Sequence, residues 1–272
     1  MSTLVMVQEH DANLCFTADD RIFLGEGLFE TLRVVKNKPC FPEAHWQRLK
    51  KSASFLGLTF DISFEVWFEK LNECIKLHAI QEGGIKAILS SGRAPRGLSA
   101  RSKETTLILT AFPYTRSPQP LSLMSAPWQR DAKNPTFQLK SINYLEAIIA
   151  LRYAQSAGFD DVLFFNFQNH ATETTVANFF IIKNNQLITP PLHSGVLPGI
   201  IRERLLFLSK KQGIPCLELE LRKDNLIEAE AAFTCNALQG IRPVRTFDNH
   251  AYTVKHPILE TLSRFLMLEE YD

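Results

Sequence analysis

Four short segments carry side chains whose types and neighbours suit chemistry. The first is Lys140-Ser141-Ile142-Asn143-Tyr144, expected at the end of a strand and the start of a helix. A lysine amine attacks a carbonyl only when unprotonated, so burial and a nearby cation, which depress its pKa, suit it to imine formation. Taken alone it reads as a surface lysine, the usual fate of that residue. The second is Glu173, just ahead of the hydroxyl-rich turn Thr174-Thr175. It either caps a loop or, in a cleft, pairs with a protonated ring nitrogen. The third is Arg48, in His45-Trp46-Gln47-Arg48-Leu49. His45 and Leu49 lie one helical turn apart, so Leu49 can face a core while Arg48 points elsewhere. A lone helical arginine is ordinarily a solvated charge, whereas one aimed into a cleft is a planar clamp for phosphate. The fourth is Leu197-Pro198-Gly199-Ile200-Ile201-Arg202, which opens a helix. Free N–H groups and the helix dipole there bind an anion without a charged side chain, and Gly199 permits close approach. Pro-Gly also starts many helices that bind nothing.

Alternating strands and helices must position these residues. Residues 27–35 read as a strand and 37–39 as a turn. Helices are expected over 43–56, closed by Gly57, and over 64–78, with strands at 85–91 and 105–112. Three prolines within residues 113–120 make a stiff connector, which separates a smaller α/β domain, 1–112, from a larger domain, 121–272. The second half predicts strands at 121–126, 161–166, 178–183, 186–189, 216–221 and 231–235. Helices are expected over 142–157, from Pro198-Gly199 to Gly213, and from Pro257 onward.

Bulk composition excludes several function classes. The 272 residues are 45% hydrophobic and 22% charged with net charge +1, ordinary for a globular protein and without a basic stripe for nucleic acid. The five cysteines, Cys15, Cys40, Cys74, Cys216 and Cys235, are scattered, which fits free thiols in a reducing compartment. None of the seven histidines forms a metal-binding spacing, so no metal is expected. The start turns acidic at Glu9 with no basic region before its apolar run, and the apolar stretches are too short to span a bilayer. These features fit a cytoplasmic enzyme, with neither membrane nor nucleic acid as partner; the small-molecule substrate is implied by the resemblance that follows.

In this order and spacing the four segments resemble one family: branched-chain aminotransferases, D-amino acid aminotransferases and aminodeoxychorismate lyases, the fold type IV enzymes that use pyridoxal 5′-phosphate (PLP). The resemblance covers nearly the whole chain. It begins at Asp20-Arg21 and at Gly25-Glu26-Gly27-Leu28-Phe29-Glu30-Thr31-Leu32-Arg33. It ends at Asn236-Ala237-Leu238-Gln239-Gly240-Ile241-Arg242-Pro243-Val244. It implies an α/β (α+β), two-domain fold like that of D-amino acid aminotransferase, a homodimer, and PLP as cofactor. Lys140 then matches the Schiff-base lysine, Glu173 the acid on the pyridine nitrogen, and Arg48 the phosphate-binding arginine. Ile200 and Ile201 match the helix start that donates N–H groups to phosphate, and Asn236 and Ala237 a further cofactor contact. Many relatives carry threonine at Ile201 and some a hydroxyl residue at Ala237, so here only backbone donors remain.

Residues 236–244 resemble the lyase branch. The implied reaction converts 4-amino-4-deoxychorismate to 4-aminobenzoate and pyruvate, with Lys140 as base. Thr31 is a candidate proton donor to the leaving enolpyruvyl carbon, or equally a plain β-branched strand residue. Arg96, in Ser91-Gly92-Arg93-Ala94-Pro95-Arg96-Gly97, is the expected anchor for a substrate carboxylate. Arg93 and Arg242 are weaker candidates. The alternatives are a D-amino acid or branched-chain transaminase and a non-catalytic PLP-binding protein.

Overall fold

The computed structural model describes residues 2–6, 16 and 19–271. Glu9 and Cys15, named above, lie outside the described residues, as does His10, one of the seven histidines. The chain forms two compact units. The first takes the residues up to Thr115 together with Leu139–Asn143; the second takes Arg116–Gln138 and Tyr144–Glu270.

The first unit is built on a five-stranded sheet of β1 (Ser2–Met6), β2 (Gly27–Val35), β3 (Lys38–Pro39), β4 (Gly83–Ser90) and β5 (Thr105–Pro113). Their order is β1-β5-β4-β2-β3, with only β1 and β5 parallel. Helix α1 (Pro42–Leu56) starts with proline in its first turn and stops at Gly57, whose φ of 69° returns its N–H to the Ala53 and Ser54 carbonyls. Helix α2 (Phe64–Leu77) is capped by the Ser63 hydroxyl, which accepts from the Val66 N–H. Leu49 and Ala53 of α1 and Trp67, Leu71 and Ile75 of α2 recur at one-turn spacing. They pack on Leu28, Leu32, Ile85, Leu89, Leu107 and Leu109 to make the core of this unit.

Strand β3 pairs only with Val34 and Val35, so the start of β2 needs another partner on that edge. Leu139–Asn143 supplies it. The Phe29 N–H donates to the Lys140 carbonyl at 2.8 Å, and the Ile142 N–H to the Gly27 carbonyl at 3.1 Å, around an antiparallel bridge between Leu28 and Ser141. The Asn143 amide then donates to the Gly25 carbonyl at 2.9 Å. This pairing changes two expectations. The residues before Lys140 form a short 3-10 turn, Pro135–Gln138, rather than a strand. The helix after it begins at Leu145 rather than Ile142, because residues 141–143 spend their backbone groups on β2. It also adds a return to the first unit that a single break within 113–120 does not contain.

The second unit carries an eight-stranded sheet. Its strands are β6 (Leu121–Arg130), β7 (Asp161–Asn166), β8 (Asn178–Lys183), β9 (Gln186–Thr189), β10 (Cys216–Glu218), β11 (Ala231–Asn236), β12 (Gly240–Phe247) and β13 (His250–Ala251). The order is β10-β9-β8-β11-β12-β6-β7, with β13 on β12. Helix α3 (Leu145–Ser156) sets Ala150 and Ala154 against Val162 and Phe164. Helix α4 (Ile200–Lys211), the short α5 (Lys223–Ile227) and α6 (Pro257–Tyr271) complete the unit. β12 was not anticipated: Gly240 and Pro243 obscure the alternation, yet Pro243 stands opposite Phe233 within the β11–β12 pair. The strand expected over 216–221 ends at Glu218.

Gly25 tests the docking of Leu139–Asn143. Its φ is +76°, and a Cβ there would collide with the Asn143 amide, whereas Gly158, with φ +81°, faces open space. Gly158→Ala is expected to cost about 1 kcal/mol of left-handed strain, and Gly25→Ala about 2–3 kcal/mol because the collision adds to it. Urea unfolding of the two variants measures both; equal losses would contradict this account of the segment.

Candidate cofactor and active site

In the first unit, Lys140 is half-buried, and its Nζ lies 4.4 Å from the centroid of the Phe29 ring. The Nζ of Lys86, on the neighbouring strand β4, lies 5.2 Å from the centroid of the same ring. Strand alternation places Phe29, Thr31 and Arg33 on one face of β2 and Leu28, Glu30 and Leu32 on the other, where α1 packs. Thr31 is therefore one step along the Phe29 face, half-buried.

On the α1 face a charged cluster sits inside the core. The Glu30 carboxylate is buried and receives Arg48 on both oxygens, Nε to Oε1 at 2.8 Å and Nη2 to Oε2 at 2.6 Å. His45 Nδ1 lies 2.6 Å from the same Oε2. Burial alone would raise the Glu30 pKa, but the Arg48 charge and the bonds from Arg48 and His45 outweigh it and hold the carboxyl at about 2. Burial pushes His45 below its usual value against the pull of Glu30, and the charges of Arg48 and Lys140 push the same way. His45 is thus a neutral imidazole donating from Nδ1, while its buried Nε2 has no hydrogen-bond partner among the described residues. Sequence reading selected Arg48 for this region and passed over Glu30 and His45. The available signal was an acid in the middle of a mostly apolar strand.

Arg96 is exposed on the loop after β4 and makes no hydrogen bond or ion pair among the described residues. The base of its loop is pinned by buried Arg21, which pairs with Glu26 and donates to the carbonyls of Gly97 and Leu98. Arg93 is also exposed.

In the second unit, Glu173, Ile200, Ile201, Asn236 and Ala237 gather around the start of β8 and the end of β11, which pair antiparallel with Asn178 opposite Cys235. Glu173 Oε2 accepts from the Leu197 N–H at 3.0 Å and from the Asn178 amide at 3.4 Å. Its Oε1 is 3.6 Å from Nη1 of Arg130. Arg130, a residue the sequence did not single out, is buried, stacks 3.4 Å above the Phe164 ring and pairs with Glu146. Gly199 caps α4 in an extended conformation with no side-chain cap, and Ile200 and Ile201 are buried at its first two positions. The close neighbour that Gly199 admits is the Asn178 side chain, which a Cβ would strike. The Asn236 side chain closes its own turn, accepting from Gln239 N–H at 2.8 Å, and donates to the Val176 carbonyl, so it ties the Ala237 turn to the turn after Glu173. Arg242 donates to the Gln119 carbonyl.

Taken one unit at a time, the donor chemistry suits PLP: in the first unit a half-buried primary amine suits a carbonyl, and in the second a carboxylate held by backbone and arginine suits a ring nitrogen, and a helix start without a side-chain cap suits a phosphate. The model of the amino-transferase class IV family matches residues 27–247. The chain belongs to the class IV aminotransferase family. Members of this family depend on PLP, and the chain is a PLP-dependent enzyme, a lyase or a related aminotransferase. Its fold is shared by a Legionella pneumophila protein named "Putative 4-amino-4-deoxychorismate lyase", 48% identical over 99% of both chains with a TM-score of 0.95. The 4-amino-4-deoxychorismate lyase of Pseudomonas aeruginosa is 25% identical over 93% of this chain and 94% of its own, with a TM-score of 0.82. The branched-chain-amino-acid aminotransferase of Salmonella typhimurium is 28% identical over 75% of this chain and 69% of its own. Among the described residues no helix is long and apolar enough to cross a membrane.

The buried cluster has a pH signature. Both groups have folded pKa values below their unfolded ones, so each contributes stability at higher pH and loses it on acidification. Below pH 6.5 the unfolded chain gains a proton at His45 that the folded one resists, and between pH 4.5 and about 2 the same holds for Glu30. The Glu30 contribution is on the order of 3 kcal/mol. The stability gap between the enzyme and Glu30→Gln, read by urea unfolding, is expected to shrink as pH falls from 4.5 toward 2; a constant gap contradicts the assignment.

Proposed function

We propose that this class IV enzyme converts 4-amino-4-deoxychorismate to 4-aminobenzoate and pyruvate. The observation that carries the reading is the full-length likeness, at 48% identity, to the Legionella protein named for that activity. The segment Asn236-Ala237-Leu238-Gln239-Gly240-Ile241-Arg242-Pro243-Val244, of the lyase type, supports it from the sequence side. Here that segment forms the turn holding Ala237 and the start of β12.

PLP supplies an electron sink for charge that develops on the substrate carbon. In this reading Arg48 and the backbone of Ile200, Ile201 and Ala237 hold its phosphate. Asn236 keeps the Ala237 turn in place, and Glu173 keeps a ring nitrogen protonated. Lys140 would carry the cofactor, and its Nζ takes the proton from C4 of the substrate. The ether bond to the enolpyruvyl group then breaks, and the ring becomes aromatic. The methylene carbon of the leaving group gains a proton from the Thr31 hydroxyl, and pyruvate departs. Arg96 meets a substrate carboxylate. The reading includes a cytoplasmic homodimer. Leu145, Ile148, Ile149 and Tyr153, exposed along α3, are apolar surface of the kind a second copy covers.

A second reading, branched-chain or D-amino acid transamination, is favoured by the likeness to the Salmonella aminotransferase. Steady-state assays separate the two. The proposed enzyme releases pyruvate and 4-aminobenzoate in equal amounts, and Lys140→Ala abolishes this. Thr31→Val is expected to lower kcat by about 10²-fold, the usual worth of a positioned proton donor. Rapid amino transfer from leucine or D-alanine to 2-oxoglutarate, with no 4-aminobenzoate formed, overturns the proposal.

A further inference from the structure

We propose that His45 is a positioning residue which, through Glu30, fixes the guanidinium of Arg48 for the phosphate of PLP. The inference rests on the reading of Arg48 as a phosphate ligand.

The cluster is poorly explained as a stabilising device. His45 is 0% exposed and Glu30 1% exposed, on packed faces of α1 and β2. Charge pairs taken out of water gain little over apolar side chains of the same volume, because desolvation offsets their attraction. The imidazole also leaves Nε2 buried without a partner, a cost an apolar residue in that place would avoid. What the cluster does provide is direction. His45 and Arg48 are three residues apart on α1, so both reach the same point on β2.

Arg48 binds Glu30 through the Nε–Nη2 side of its fork, and this planar two-bond contact sets the plane of the guanidinium. A carboxylate held from one side only can still pivot about its own bond to carbon. The His45 N–H, on the Oε2 that Nη2 also uses, closes that freedom from a second direction. A different group bound by Arg48 then meets a guanidinium whose plane is already set. A neutral donor suits this task, since a protonated His45 would stand beside Arg48 and Lys140 as a third positive charge.

The test compares PLP with pyridoxal, which lacks the phosphate. Binding of each to the apo-enzyme is followed by absorbance and tryptophan quenching. His45→Ala is expected to weaken PLP binding on the order of ten-fold while pyridoxal binding stays within about two-fold, the loss of one hydrogen bond to a charged group felt only at the phosphate. His45→Asn, whose amide N–H reaches the place of Nδ1–H, restores most of the PLP affinity; His45→Gln, of similar size but with the donor displaced, does not. These two keep the test available should the alanine variant not fold. Arg48→Ala removes the preference for PLP over pyridoxal, and adding His45→Ala to it changes nothing further. If Arg48→Ala removes the preference but His45→Ala weakens both ligands alike or neither, the positioning role is overturned. If Arg48→Ala leaves the preference intact, the phosphate reading of Arg48 fails, and the inference with it.

Discussion

Two backbone hydrogen bonds hold Lys140 to the open edge of β2, and much of the candidate site follows from them. Phe29 gives its N–H to the Lys140 carbonyl, and Gly27 takes the N–H of Ile142. The strand cannot leave those groups unpaired in a packed unit, and β3 is too short to reach them. Once the segment docks, the lysine amine comes to rest on the Phe29 ring. The next residue, Glu30, faces the other way and engages α1; the one after, Thr31, returns to the Phe29 face. Consecutive positions of one strand thus address opposite faces of the sheet because side chains alternate.

Each unit also sets a carboxylate against an arginine, Glu30 buried and Glu173 half-buried. Glu30 has Arg48 at full hydrogen-bonding distance on both oxygens, with His45 as a third donor. Glu173 has backbone and amide donors on one oxygen and Arg130 at 3.6 Å from the other. The difference matters. Glu30 is committed to protein partners and serves to hold Arg48. Glu173 is the acid proposed to meet a ring nitrogen.

Local pattern was legible where the backbone obeys it. The strands Gly27–Val35, Asp161–Asn166, Asn178–Lys183 and Gln186–Thr189 and the start of the helix at Pro257 stand where β-branched runs, turns and a proline put them. The family was legible from four segments in a fixed order, none of which is specific alone. Pairing between distant residues was not legible. Nothing local tells that residues 141–143 pair with β2 instead of starting a helix, since the energy comes from an edge more than a hundred residues earlier. Glu30 and His45 were missed because each alone looks like an ordinary strand or helix residue, and their worth lies in the partner across the core. The Asn178 side chain stands where a Cβ on Gly199 would lie, a closeness that no local signal shows.

The central claim is that Lys140, among the lysines of this chain, forms the covalent link to PLP. Lys86 makes the sharpest control, because its amine approaches the same aromatic ring. Borohydride reduction of the holoenzyme, followed by digestion and mass analysis, locates the link directly. The account predicts one reduced pyridoxyl group, on the peptide that contains Lys140. A group fixed on Lys86 or any other lysine, or no fixed group in a protein that retains bound PLP, would contradict it.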